Sequence, residues 1–292
     1  MRDEIRRPAT LAAALAIRAE EATVPVAGGT DLMVRHRRGG PLPIRLEAPP
    51  LFIGHLAELQ VMRATPQALH IAAAATLSAI AAHPDVPGGL LAAIREFAAP
   101  AIRNAGTIGG NICNASPAGD TLPFLYATGS TVALTSSTGE REMPTEQFIL
   151  GPGHTALDPG ELLTGITIPR RRTPFVFYRK VAPRRSNALS KLSVYAESGI
   201  VMTQGRPSVD GFRLAVGAVA PTVVCCPEAE AILQGATAGD IRDRAVEAVK
   251  LYEERIKPID DQRSTATYRR NTALTLIHHI LEQELAEWLE QQ

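Results

Sequence analysis

Aromatic residues make up only 4% of this 292-residue chain, too few for a surface that stacks nucleic-acid bases. Net charge is also missing. Thirty lysines and arginines balance thirty acidic residues, so no overall field draws nucleic acid or an anionic membrane. No run approaches the roughly twenty apolar residues of a membrane span. Cysteine is scarce as well: Cys113, Cys225 and Cys226 have no C-x-x-C spacing and cannot make a four-thiolate cluster site. They are expected to be reduced, structural thiols in a cytoplasmic protein. The apolar run at 11–17 is short, ends in Arg18, Glu20 and Glu21, and lacks a small-residue cleavage site. It reads as a helix capped by Thr10 rather than a secretory signal. His278 and His279 point apart on a helix, and no metal site is expected there.

What is present is an ordinary globular composition, 45% hydrophobic and 21% charged, at a length that suggests two domains. Residues 24–27 form a short apolar run that ends in Gly28 and Gly29. Thr30 is expected to open a helix over 31–38 that stops at Gly39-Gly40, with a return strand at 44–46. That is the pattern of a small parallel βαβ unit. Residues 69–72 read as strand, Thr76 as the cap of a helix reaching Ala82, and 90–97 as helix. From Pro100 to Asp120 the chain reads as one long irregular loop, and such loops inside compact domains are commonly functional. Strand resumes at 131–134, with Thr138-Gly139 as a turn.

A basic, proline-bounded stretch around Arg170, Arg171 and Arg172 reads as the linker, and is either a solvated run or a docking patch. Beyond it, 192–202 and 212–219 are β-rich and separated by a turn at 204–207. A helix starts at Pro227 and ends at Gly235. The final helix sets Leu274, Ile277, Leu281, Leu285 and Trp288 on one face. The expected division is 1–172 (1–55 a small βαβ subdomain, 56–172 a larger one) and 173–292, an α+β domain of antiparallel sheet plus helices.

Two segments carry chemistry. Ala27, Gly28, Gly29, Thr30, Asp31 and Leu32 place two glycines between a strand and a helix, where backbone amides can meet an anion. On its own this is either a ligand loop or a plain structural turn. It is neither the G-x-G-x-x-G fingerprint nor a Walker loop. The second segment, 103–120, holds four glycines, three asparagines and two small hydroxyls within eighteen residues. Its amides can converge on a pyrophosphate. Asn111, Asn114 and Asp120 can meet sugar or ribityl hydroxyls.

In this order the two segments resemble the paired FAD-binding loops of the flavoprotein subunits of xanthine dehydrogenase and aerobic carbon monoxide dehydrogenase. The similarity extends to 161–169, 177–180, 212–221 and 258–264. It implies a two-domain α+β FAD-binding fold of the vanillyl-alcohol-oxidase (PCMH) type. It also implies that Ala27–Asp31 and Thr107, Gly109, Gly110 and Asn111 hold the FAD diphosphate. Ser116 and Asp120 would lie toward the ribityl or ribose, Phe97 and Leu163 near the flavin or adenine, and Lys180 beside the isoalloxazine. Read from sequence alone, Lys180 is otherwise a surface lysine, and Phe97 and Leu163 are otherwise core.

The resemblance further implies partners: a molybdopterin-binding large subunit that hydroxylates the substrate and a small subunit with 2Fe–2S clusters. This chain would accept electrons from those clusters and pass them to NAD or another acceptor. It carries no evident catalytic acid–base pair of its own. Alternative readings are the FAD subunit of a carbon monoxide or N-heterocycle dehydrogenase, and a self-sufficient flavin oxidase. Asp31 stands where covalent flavoproteins use histidine, so noncovalent FAD is expected.

Overall fold

The computed structural model describes residues 5–37, 44–184 and 187–292. The chain forms two compact units. The first comprises Met1–Val86, Ala98–Ala115 and Ser130–Arg170, the second Pro87–Phe97, Ser116–Gly129 and Arg171–Gln292. The sequence division at residue 172 is linear, whereas the compact units are interleaved: 87–97 and 116–129 belong with 171–292.

In the first unit, Thr10 caps the helix Leu11–Glu20 by accepting a hydrogen bond from the Ala13 amide. Strand β1 (Val24–Val26) pairs in parallel with β2 (Pro50–Phe52), with Val24 opposite Pro50 and Val26 opposite Phe52. The βαβ unit is therefore present, but its return strand is not at 44–46. Leu51 is fully buried beside Ala14, Leu15 and Leu56, whereas Ile44 is exposed. The strand that buries an apolar side chain against the first helix is the one that forms. The intervening helix is a single turn, Leu32–Arg35, with Asp31 and not Thr30 at its N-cap. Neither Thr30 nor Asp31 makes a side-chain capping bond there. The expected stop at Gly39-Gly40 lies outside the described residues.

The rest of the unit is a five-stranded antiparallel sheet. Its strands are β3 (Met62–Ala64), β4 (Ala68–Ala72), β5 (Thr131–Thr135), β6 (Glu140–Pro144) and β9 (Leu162–Pro169), in the order β3-β4-β9-β5-β6. A short hairpin, β7 (Ile149–Gly151) with β8 (His154–Thr155), precedes β9. Central β9 buries Leu162, Leu163, Ile166 and Ile168.

The segment read as one long irregular loop contains two short helices, Pro100–Ala105 and Ile108–Cys113. Pro100 occupies the first helical turn, where a missing N–H costs nothing. Thr107 caps the second helix by accepting from the Gly110 amide at 3.1 Å. Glycine disfavours helix by about 1 kcal/mol, but here the helix lies against the chain just beyond β4. A Cβ on Gly109 would come within 2.6 Å of the Ala73 Cβ.

In the second unit, β10 (Phe175–Val181), β11 (Leu192–Thr203), β12 (Arg206–Gly217) and β13 (Val224–Cys225) form an antiparallel sheet in sequence order. Gln204 and Gly205 both take positive φ, 50° and 74°, and make the two-residue hairpin between β11 and β12. Helices Pro227–Leu233, Ala238–Arg255 and Ala266–His279 share one core with the sheet. The final helical stretch is not uniform: Ile280–Leu285 is π-helical before Ala286–Glu290 resumes α geometry. Ile277, Leu281 and Leu285 are buried, and Leu274 and Trp288 are partly so. The helix Gly88–Glu96 packs on β10, and Leu122–Ala127 packs on β11 and β12.

No helix among the described residues is long and apolar enough to cross a membrane. Those residues also hold no group of His, Cys, Asp and Glu arranged for a metal ion. All three cysteines are free thiols.

Candidate functional site

The first unit brings the two glycine-bearing segments together. A Cβ on Gly28 would lie 2.0 Å from the Ala105 carbonyl oxygen, and one on Gly106 would lie 3.3 Å from Thr30 Oγ1. Gly54, just after β2, closes in from the other side, its absent Cβ 2.9 Å from the Ala27 carbonyl oxygen. Three backbone segments thus meet at a spacing that side chains would prevent. Further along, Arg35 donates a hydrogen bond to Asn114 Oδ1.

These segments frame a cavity of about 210 Å³, lined by Arg7, Ala27, Gly28, Phe52, Gly54, His55, Ala74, Thr76, Ala105 and Thr107. The lining includes one arginine, one histidine, two hydroxyls and no carboxylate. At its edge the chain turns through Gly29, at φ 67°. Among the described residues, the amides of Gly28, Gly29, Thr30 and Asp31 have no protein acceptor. Successive N–H groups without a protein acceptor about a left-handed residue are the kind of backbone that can receive an anion.

The second segment behaves differently from the sequence expectation. Its amides are already engaged: Ile108 donates to the Ala75 carbonyl, Gly109 to Ala73, Gly110 to Thr107 Oγ1, and Asn111 to the Thr107 carbonyl. It offers a ligand the wall formed by Ala105 and Thr107, while the free amides lie in the first segment. Thr107 also pairs with Thr76 in an isolated β-bridge, which ties that wall to the N-cap of the helix Leu77–Ala82. Gly109 is glycine because Ala73 is packed on it, whereas Gly110 is exposed. Asn111 and Asn114 are half-buried. Leu163 is buried opposite Leu134 in the sheet. Arg7, Gly54, His55 and Thr76 carry no motif that marks them as site residues from sequence. Only the fold gathers them.

The second unit holds a separate buried polar cluster. Lys180 Nζ on β10 lies 2.7 Å from Asp120 Oδ2, with side-chain exposures of only 4% and 8%. Lys180 also donates to the Glu96 carbonyl at 2.9 Å. Ser190 Oγ donates to Asp120 Oδ1 at 2.5 Å, and the Tyr178 hydroxyl donates to the Asp120 carbonyl. Lys180 is therefore not a surface lysine. Burial pushes the Asp120 carboxyl above its usual range, while Lys180 and Ser190 pull it back. Phe97 follows the helix Gly88–Glu96 as its half-buried C-cap. Ser116 accepts from the Ala118 amide at 3.4 Å.

Residues 2–171 match the family model "FAD binding domain in molybdopterin dehydrogenase", and 177–283 match "CO dehydrogenase flavoprotein C-terminal domain". The chain belongs to this flavoprotein family. Its cofactor is FAD, and the cavity suits the charge of that ligand: an unpaired amide at Gly28, hydroxyls and an arginine, with no carboxylate to repel a diphosphate. The chain is similar to a nicotinate dehydrogenase FAD-subunit from Eubacterium barkeri, 34% identical over 64% of this chain and 65% of the relative. It thus spans just under two thirds of that protein. A putative xanthine dehydrogenase FAD-binding subunit from Escherichia coli is 27% identical over 96% of this chain and 95% of its own length. A solved carbon monoxide dehydrogenase from Oligotropha carboxidovorans superposes with TM-score 0.81 at 26% identity, covering 94% of this chain and 95% of the matched chain. The α+β flavoprotein fold of the vanillyl-alcohol-oxidase type, with its C-terminal antiparallel sheet, is shared with these relatives.

Proposed function

We propose that this chain is the electron-transfer flavoprotein of a molybdenum hydroxylase of the xanthine dehydrogenase type. In that role it takes electrons from a partner's 2Fe–2S clusters and hands them to NAD or another acceptor, while a molybdopterin-binding large subunit hydroxylates the substrate. Residues 1–172 serve as the FAD-binding domain and 173–292 as the flavoprotein C-terminal domain. FAD, when bound, supplies the capacity to accept electrons singly and release them as a pair.

The observation that carries this reading is the run of free amides at Gly28–Asp31 beside a cavity free of carboxylates. Ala27, Gly28, Gly29, Thr30, Asp31 and Leu32 hold the diphosphate together with Thr107, Gly109, Gly110 and Asn111, of which Thr107 lines the cavity beside Gly28. Asn114, Ser116 and Asp120 serve the ribityl or ribose hydroxyls. Phe97 and Leu163 pack near the rings, and Lys180 lies beside the isoalloxazine. The burial of Lys180 and its 2.7 Å contact with Asp120 support a fixed, oriented ammonium, which a solvated lysine cannot provide.

Purification from its native source tests the proposal. The expected result is a yellow chain accompanied by an iron-containing and a molybdenum-containing polypeptide. A colourless chain that gains no visible absorbance on adding FAD overturns it. Flavin that stays on the protein after acid precipitation would instead favour a self-sufficient oxidase with covalent cofactor.

A further inference from the structure

We propose that Arg7 is the ionic contact for the diphosphate of the bound dinucleotide. The assignment rests on the FAD reading above and extends it to a residue outside both glycine segments. The chain path sets the side-chain direction. The Arg6 amide donates to the Pro50 carbonyl and the Phe52 amide to the Arg6 carbonyl, at 2.9 and 2.8 Å, so residues at this point run extended beside β2. Successive side chains of an extended chain face opposite ways. Arg6 turns to Glu21, with which it makes a two-pronged pair, and Arg7 lines the cavity.

Just past it, His55 Nε2 lies 2.9 Å from the Pro8 carbonyl. A carbonyl only accepts, so Nε2 donates, and this bond ties the segment carrying Arg7 to the Gly54–His55 edge of the cavity. Among the described residues Arg7 has no hydrogen-bond or ion-pair partner, and no carboxylate lines the space it faces. Backbone amides carry only partial charges, whereas a diphosphate carries two full ones. A guanidinium matches a phosphate's oxygens with paired donors. Arg7 is exposed, so its contribution is screened by salt.

The test titrates FAD into the full-length chain stripped of flavin, at low and high salt, following flavin fluorescence. Arg7→Gln is expected to raise the Kd about tenfold at low salt, the size of one charge-assisted bond, and to flatten the salt dependence. Arg7→Lys should fall between the two. ADP should lose the same factor as a competitor, while riboflavin competes unchanged. The thermal midpoint of the flavin-free form should stay at the wild-type value. Wild-type Kd and salt slope in Arg7→Gln, with FAD still bound by the unsubstituted chain, overturns the Arg7 assignment alone. Failure of the unsubstituted chain to bind FAD overturns the reading beneath it, and the assignment falls with it.

Discussion

A methyl group on Gly28 would stand 2.0 Å from the Ala105 carbonyl oxygen, with two more backbone atoms within 3.0 Å. Gly28→Ala must therefore push the two loop segments apart. The expected cost is about 1–3 kcal/mol in denaturant unfolding, with FAD affinity falling more than tenfold in direct titration. Gly110 is the contrasting case: exposed, with only Thr107 Oγ1 near its missing Cβ. Gly110→Ala should leave stability within about 1 kcal/mol of wild type. At Glu197 the readout is pH. Burial raises its carboxyl above the usual 4.5, and the Tyr195 hydroxyl donates to it at 2.7 Å. Because the folded state holds that proton more tightly, the stabilisation is complete below the unfolded value and is lost as pH rises through the folded one. The melting midpoint of wild type relative to Glu197→Gln should therefore rise as pH falls from neutrality toward about 4.5; a constant difference would refute this. The turn at Gly28 and Gly29 was legible in the sequence as a glycine pair between strand and helix, a pattern that a ligand loop and a plain turn share. The positions of Gly54 and Arg7 at the cavity were not, because they arise only when β2 is laid beside β1 and the segment at Arg6 beside β2.

Lys180 joins β10 to the segment carrying Asp120, and neither side chain is open to water. Lys180→Met leaves a buried carboxylate without its counter-ion and should cost about 3–5 kcal/mol. Adding Asp120→Asn should recover most of that loss, and a double-mutant cycle in denaturant reads the coupling. The long helix Ala238–Arg255 depends on a reciprocal cap between Thr237 and Asp240. Thr237→Ala should cost about 1 kcal/mol, measurable by the same unfolding curves. Threonine side-chain caps, at Thr10, Thr76 and Thr237, are local in sequence. Thr10 and Thr76 were readable from the residues that follow them. The return strand at Pro50–Phe52 and the two helices within 100–120 were not. Leu51 is buried by a helix some forty residues earlier, and Gly109 by Ala73, so long-range packing overrides local propensity in both.

For the whole chain, ligand binding and stability are linked. FAD at a hundredfold excess over its Kd should stabilise the protein by about 2.7 kcal/mol, and the shift in thermal midpoint on adding FAD measures it. The family was recognisable in the sequence because two short motifs lie in a fixed order; the interleaving of the compact units was not, because no motif marks it. That interleaving bears on synthesis. The first unit is complete once residue 170 has emerged, but Leu90, Ile94, Phe124 and Leu125, all fully buried in the finished protein, belong to the second. At ribosomal speeds these side chains wait roughly ten seconds for residues 171–292 to arrive. Nascent chains halted between those points should be the form that recruits chaperones and yields most readily to proteases.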